Sequence, residues 1–211
     1  MPLTPSYFKF LFRSVNAHGI HSPFVYNLIT KGFYERRYVE SDQKYDTNST
    51  GLSKEALNIL FKIISHFKSY KLLALGTDTT SIAEIIRTEA EQTNTKVWFY
   101  STMVPVPDGV DLAYLSGNDK DTLLPTFEQV LKDINNNSVV AIGNIHRSAD
   151  VETAWETIKK DPNVTLTIDT YHLGLVFFRR EQTKQPFIIR PFKSAVLDAF
   201  LGIKNLWGLL H

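Results

Sequence analysis

The sequence predicts a three-layer α/β domain whose sheet is mostly parallel, with one antiparallel strand at its edge. Three observations predict it. Short apolar runs of strand length alternate with longer segments whose apolar residues recur at helical spacing. The stretch from Val139 to Arg180 reads as strand, helix, strand, strand, which is a parallel strand followed by a hairpin. With 211 residues and no cysteine, the chain is long enough to bury a core, and it lacks thiolate metal sites and disulfides.

The elements follow in order. Tyr7 to Val15 has a helical pattern that Asn16-Ala17-His18-Gly19 breaks. Ser22 is an N-cap candidate and Pro23 sits at a first helical position, so a second helix should run from Pro23 to about Phe33. His18 and His21 precede it as candidate acid/base groups, although two imidazoles alone make a poor metal site. Glu35 to Thr50 is polar and reads as a surface loop able to act as a lid. Ser53 then caps an amphipathic helix with Ala56, Leu57, Leu60, Ile63, Ile64 and Phe67 on one face.

Lys71 to Gly76 is a buried strand that enters Thr77-Asp78-Thr79-Thr80 and a further helix. Such a turn holds an anion or a nucleotide through backbone N–H groups, but it also occurs as an ordinary capped connection, and a single glycine leaves both readings open. Lys96 to Ser101 and Asp111 to Leu115 are strands, the latter ending in Ser116-Gly117. Between them Met103 to Gly109 carries two prolines, which forbid a helix, so the usual crossover helix is missing. Thr122 to Ile134 is helical, with Pro125 expected in its first turn.

Val139 to Ile142 is the next strand, ending at Gly143-Asn144. Ser148 and Asp150 are N-cap candidates for a helix through Val151, Ala154, Trp155 and Ile158. The runs Val164 to Asp169 and Leu173 to Arg179 form the hairpin, with His172 in its connection expected to face solvent, and Phe187 to Arg190 is a last strand. Ligands in α/β sheets bind beyond the carboxyl ends of parallel strands, which makes Gly143 to Ser148, with Asn144 and His146, the expected place for chemistry. His146 reads equally as a capping or surface residue. The expected organisation is one domain over residues 1–190, with a helical cap at 1–50 and an apolar helical tail at 191–211.

Composition excludes some classes. A net charge of +1 with scattered basic residues argues against a nucleic-acid groove. The apolar start, Tyr7 to Phe12, is too short for a signal sequence or a membrane span, so a cytoplasmic location is expected. The tail carries Val196, Leu197, Phe200, Leu201, Ile203, Leu206 and Trp207 with few charges, suited to packing on its own domain or on a second copy in a homodimer.

His18 to Lys31, HGIHSPFVYNLITK, together with the segment from Ile145 to Arg190, resembles a Bacteroidetes group of class I S-adenosylmethionine-dependent methyltransferases related to catechol-type O-methyltransferases. The resemblance implies a Rossmann-like methyltransferase fold whose crossover after the second strand is shortened. It also implies a cofactor site at Gly76, Thr77, Asp78, Ser101, Ser116 and Gly117.

This chain departs from the family where the cofactor would sit. Ala74 stands at the acidic position of the first strand, Thr80 replaces a later glycine, and Ser101 replaces the ribose-binding acid. That last change removes a charge-assisted bond of about 1.5–3 kcal/mol. Ser116 and Gly143 stand where metal-binding aspartates occur, leaving Asn144 alone, and magnesium needs carboxylate oxygen, so no metal is expected.

Two readings follow. The chain is a degenerate methyltransferase-fold protein acting as a binding or scaffolding subunit, or it is an active, metal-independent methyltransferase acting on a small molecule. In the second, His146, His18 or His21 takes the substrate proton.

Overall fold

The computed structural model describes residues 4–35, 51–77, 79–101, 103 and 105–192. Asp78, the loop expected to act as a lid beyond Glu35, and the apolar tail from 193 onward lie outside the described residues, as does the side chain of His18.

Helix α1 (Pro5–Arg13) is capped by Thr4. Helix α2 (Pro23–Asn27) starts at Pro23, with the Ser22 hydroxyl accepting from Val25 N–H, and continues as a π-helical segment, Leu28–Phe33. Lys62 closes that segment from inside the core, donating to the Phe33 carbonyl at 2.6 Å. Helix α3 (Lys54–Phe67) is capped by Ser53 as its sequence predicts. Strand β1 (Lys71–Gly76) leads to α4 (Thr79–Gln92), and β2 (Trp98–Phe99) leads to β3 (Leu112–Ser116). Helix α5 (Lys120–Val130) begins two residues earlier than expected, at an Asp119 cap. Pro125 therefore lies inside the helix rather than in its first turn; its missing N–H falls opposite the exposed Asp121, where water can take the carbonyl. Strand β4 (Val139–Gly143) precedes α6 (Ala149–Lys160), capped by Ser148, while Asp150 accepts instead from Lys120 N–H at the start of α5. Strands β5 (Leu166–Asp169), β6 (Leu173–Phe177) and β7 (Gln185–Ile188) complete the sheet.

Among the described residues the sheet has seven strands in the order β2-β1-β3-β4-β6-β5-β7, and all pairs are parallel except those of β6. This is a three-layer, Rossmann-like α/β fold with a mostly parallel sheet. The antiparallel strand lies inside the sheet rather than at its edge. The hairpin folds back so that β6 pairs with β4 over five residues and with β5 over four, and β7 then adds outside β5. Burial of every β6 residue explains its apolar sequence.

Two cores flank the sheet. One packs α2, the π-helical segment, α3 and α4 on one face. The other packs α5 and α6 on the opposite face and includes Val106, so the described part of the β2–β3 connector lies on that side, with a turn from Val106 to Gly109. The connector is held by Lys71 Nζ on the Pro107 carbonyl and by Val106 N–H on Asp133.

Candidate functional site

The carboxyl ends of β1, β3 and β4 form the edge where the cofactor was expected. Gly76 has φ +103, a conformation that only glycine adopts readily, and a Cβ there would run into the Ser116 carbonyl. The chain therefore turns directly against the end of β3. Ser116 Oγ donates to the Thr77 carbonyl and lies 3.1 Å from Thr77 Oγ1. Two residues expected to contact a cofactor thus bind each other at the paired ends of β1 and β3. Ser101 accepts from the N–H of Met103, fixing its own turn. Gly117 is buried against Thr122 and Leu123 at the start of α5.

At the end of β4, Gly143 is fully packed. A Cβ there would meet Tyr114 Oη at 2.5 Å and Leu52 Cδ2 at 3.2 Å. The space a metal-binding carboxylate would use is filled by a tyrosine from β3. Among the described residues no cluster of three or more His, Asp or Glu is placed to hold a metal ion. Tyr100 and Met103, by contrast, are exposed.

Asn144 adopts φ 51 and its side-chain amide donates to the Gly51 carbonyl at 2.7 Å, tying the start of α3 to the end of β4. His172 is buried, not solvent-facing. Asn144 N–H donates to its carbonyl, and its Nδ1 lies 3.2 Å from Ser53 Oγ. Burial pushes the His172 imidazole below its ordinary value, and the charge of Glu55 offsets this only in part. His21 is exposed.

The most organised polar cluster surrounds His146. Its Nε2 lies 2.8 Å from Asp169 Oδ2 at the end of β5, and its Nδ1 lies 2.8 Å from Glu152 Oε1 in the first turn of α6. Burial opposes charging this imidazole, but the bonds and charges of Asp169 and Glu152 outweigh it and hold the pKa above its ordinary value. Both ring nitrogens of His146 thus face a carboxylate, an arrangement that favours the charged imidazole.

Tyr171 stacks on the His146 ring at a centroid distance of 5.2 Å. Its φ of 69 is unusual for a bulky residue, and its N–H is fixed by Asp169 Oδ1. Its hydroxyl reaches Thr4 and Ser6, and Tyr7 and Phe10 pack on its ring, so Tyr171 clamps α1 over the cluster. Between α1 and α6 lies a cavity of about 450 Å³ whose walls include His146, Asp169, Glu152, Lys9 and Arg13.

Sequence reasoning found His146, and named Tyr114 as a side chain able to fill the strand-end groove, but missed Asp169, Glu152 and Tyr171. For Asp169 the signal was present: a carboxylate at the carboxyl end of a parallel strand faces the ligand-binding edge.

No protein-family model matches the chain, and no curated protein matches it. Solved structures do resemble it. A methyltransferase from Podospora anserina, bound to SAH, is 10% identical over 72% of this chain and 88% of its own length, with a TM-score of 0.44. A SAM-dependent methyltransferase from Geobacter sulfurreducens in complex with S-adenosyl-L-homocysteine is 13% identical over 58% of this chain and 55% of its own, with a TM-score of 0.32. A class I S-adenosylmethionine-dependent methyltransferase from Listeria monocytogenes is 12% identical over 72% and 59%, with a TM-score of 0.39. The chain spans less than two thirds of the last two.

Proposed function

We propose that this methyltransferase-fold chain has lost cofactor and metal chemistry and serves as a binding or scaffolding subunit. The observation that carries the reading is the bond from Ser116 Oγ to the Thr77 carbonyl, which ties to each other two residues that the family resemblance assigns to the cofactor. The residues around it do not fit that cofactor. Ser101 accepts from Met103 N–H and offers at most a neutral hydroxyl, and no carboxylate replaces the ribose-binding acid among the positions the family uses. The filled space at Gly143 likewise leaves no place for a magnesium carboxylate.

The second reading, an active metal-independent methyltransferase on a small molecule, draws support from the open cavity beside His146. It is the weaker one, because both ring nitrogens already face carboxylates, so a substrate would have to displace Asp169 or Glu152 to reach the imidazole. Calorimetric titration of the full chain with S-adenosylmethionine and S-adenosylhomocysteine tests the choice. The expected result is no saturable heat up to about 1 mM ligand. Micromolar binding of either would overturn the binding-subunit reading.

A further inference from the structure

The cavity between α1 and α6 lies apart from the bonded ends of β1 and β3 and has the features of a ligand site. Its volume of about 450 Å³ falls in the range of small-molecule pockets. Its walls are unequally charged. Glu152 and Asp169 are committed to His146, and Glu156 pairs with Lys159. Lys9 and Arg13, one helical turn apart on α1, also line it, and neither has an ion-pair partner among the described residues. Two like charges at this spacing repel one another, and a bound anion relieves that repulsion.

The rest of the lining is partly apolar, from Phe10, Ala149, Trp155 and Ile188, and partly hydroxylated, from Ser6 and Thr153. Trp155 is 2% exposed, and its indole N–H has no hydrogen-bond partner among the described residues. That nitrogen is closed off from solvent, so it presents no donor to the cavity; the Trp155 side chain serves as part of the wall and as a reporter of binding beside it. Arg13 brings the planar fork that grips carboxylate or phosphate through two parallel bonds.

We infer that this cavity binds a small organic anion, a carboxylate or phosphate on an apolar or aromatic body, with Lys9 and Arg13 holding the charged end. The inference rests on the binding-subunit reading and names the ligand class that such a subunit takes. His146, Asp169 and Tyr171 position the cavity wall and the clamp on α1.

The test uses the full chain labelled with nitrogen-15 and follows the indole N–H of Trp155 by NMR. The chain has three tryptophans, so Trp98→Phe and Trp207→Phe assign the Trp155 signal by elimination. Benzoate, phenyl phosphate and neutral benzyl alcohol are titrated separately. One or both anions should shift the Trp155 signal saturably with a Kd of about 1 mM or below, and which of them binds assigns the class. Benzyl alcohol should not. Lys9→Ala combined with Arg13→Ala should weaken binding at least about tenfold, or about 1.4 kcal/mol, without altering the remaining spectrum, because both side chains are exposed.

The inference is overturned if neither anion moves the signal, if the double variant binds equally well, or if benzyl alcohol binds as tightly. Failure here, with no S-adenosylmethionine binding, removes this ligand class and leaves the binding-subunit reading standing. Binding of S-adenosylmethionine in the separate titration removes that reading instead.

Discussion

Replacing His146 by Gln should destabilise the protein in a way that depends on pH with a defined sign. The substitution removes the bond to Asp169, a carboxylate whose side chain is only 11% exposed, at a cost of about 2 kcal/mol for a charge-assisted hydrogen bond. The pair with Glu152, 45% exposed, is discounted for solvent screening to about 0.5 kcal/mol. Loss of the stack on Tyr171 adds roughly 0.5 kcal/mol. The total, about 3 kcal/mol, corresponds in a chain of this size to a Tm lowered by roughly 6–12 °C.

The pKa of His146 is raised in the folded state, so its ionic contribution is complete below the unfolded value of about 6.5 and is lost as pH rises through the folded value. His66 and His172 are shifted downward by burial and work the other way, weakening the fold as pH falls below about 6.5. The difference between wild type and His146→Gln cancels their contributions. Urea unfolding of both proteins at pH 5.5 and pH 9 should give a larger difference at the lower pH. An equal difference, or a larger one at pH 9, would refute the claim that Asp169 and Glu152 favour the charged imidazole of His146.

Two further perturbations address the filled strand ends. Gly143→Asp should cost about 3 kcal/mol, because its Cβ would lie 2.5 Å from Tyr114 Oη and its carboxylate would enter an apolar core. Tyr114→Phe in the same chain should recover part of that loss in thermal melts, and a Gly143→Asp protein that melts like wild type would show the space to be open. Asn144→Ala should cost about 2 kcal/mol, half from the lost bond to the Gly51 carbonyl and half from placing alanine at φ 51. Asn144→Gly should cost only the bond, about 1 kcal/mol, and equal losses in denaturant unfolding would contradict this division.

The parts of the fold legible in the sequence were those set by local physics. Ser22, Ser53 and Ser148 were readable as caps because a hydroxyl before an apolar helical face has one economical use, and each accepts the expected N–H. The strands β1, β3 and β4 were readable because burial on both faces makes them continuous apolar runs. What was illegible depends on pairing at a distance. The position of β6 inside the sheet follows from where the hairpin docks, which its own alternation does not encode, and the burial of His172 follows from that docking. The partnership of His146 with Asp169 joins residues 23 apart on separate elements. The family resemblance pointed to the strand ends as the site, and glycine at 143 hid from the sequence that a tyrosine from the neighbouring strand occupies the vacancy.

The seam between the two ends of the described chain also sets an order of assembly. Val15 N–H donates to the Ile188 carbonyl, Arg190 N–H donates to the Val15 carbonyl, and the Arg190 guanidinium reaches the Ser14 carbonyl. Helix α1 thus finds its seat only after residues near 190 have left the ribosome, although it is synthesised first. Its apolar side also packs on Tyr171, between β5 and β6, so its seat is built from residues about 165 to 175 positions downstream, and closing so long a loop is worthwhile only once those strands are in place. The cavity is therefore a late product of folding, and its walls report that the last strands have been added correctly.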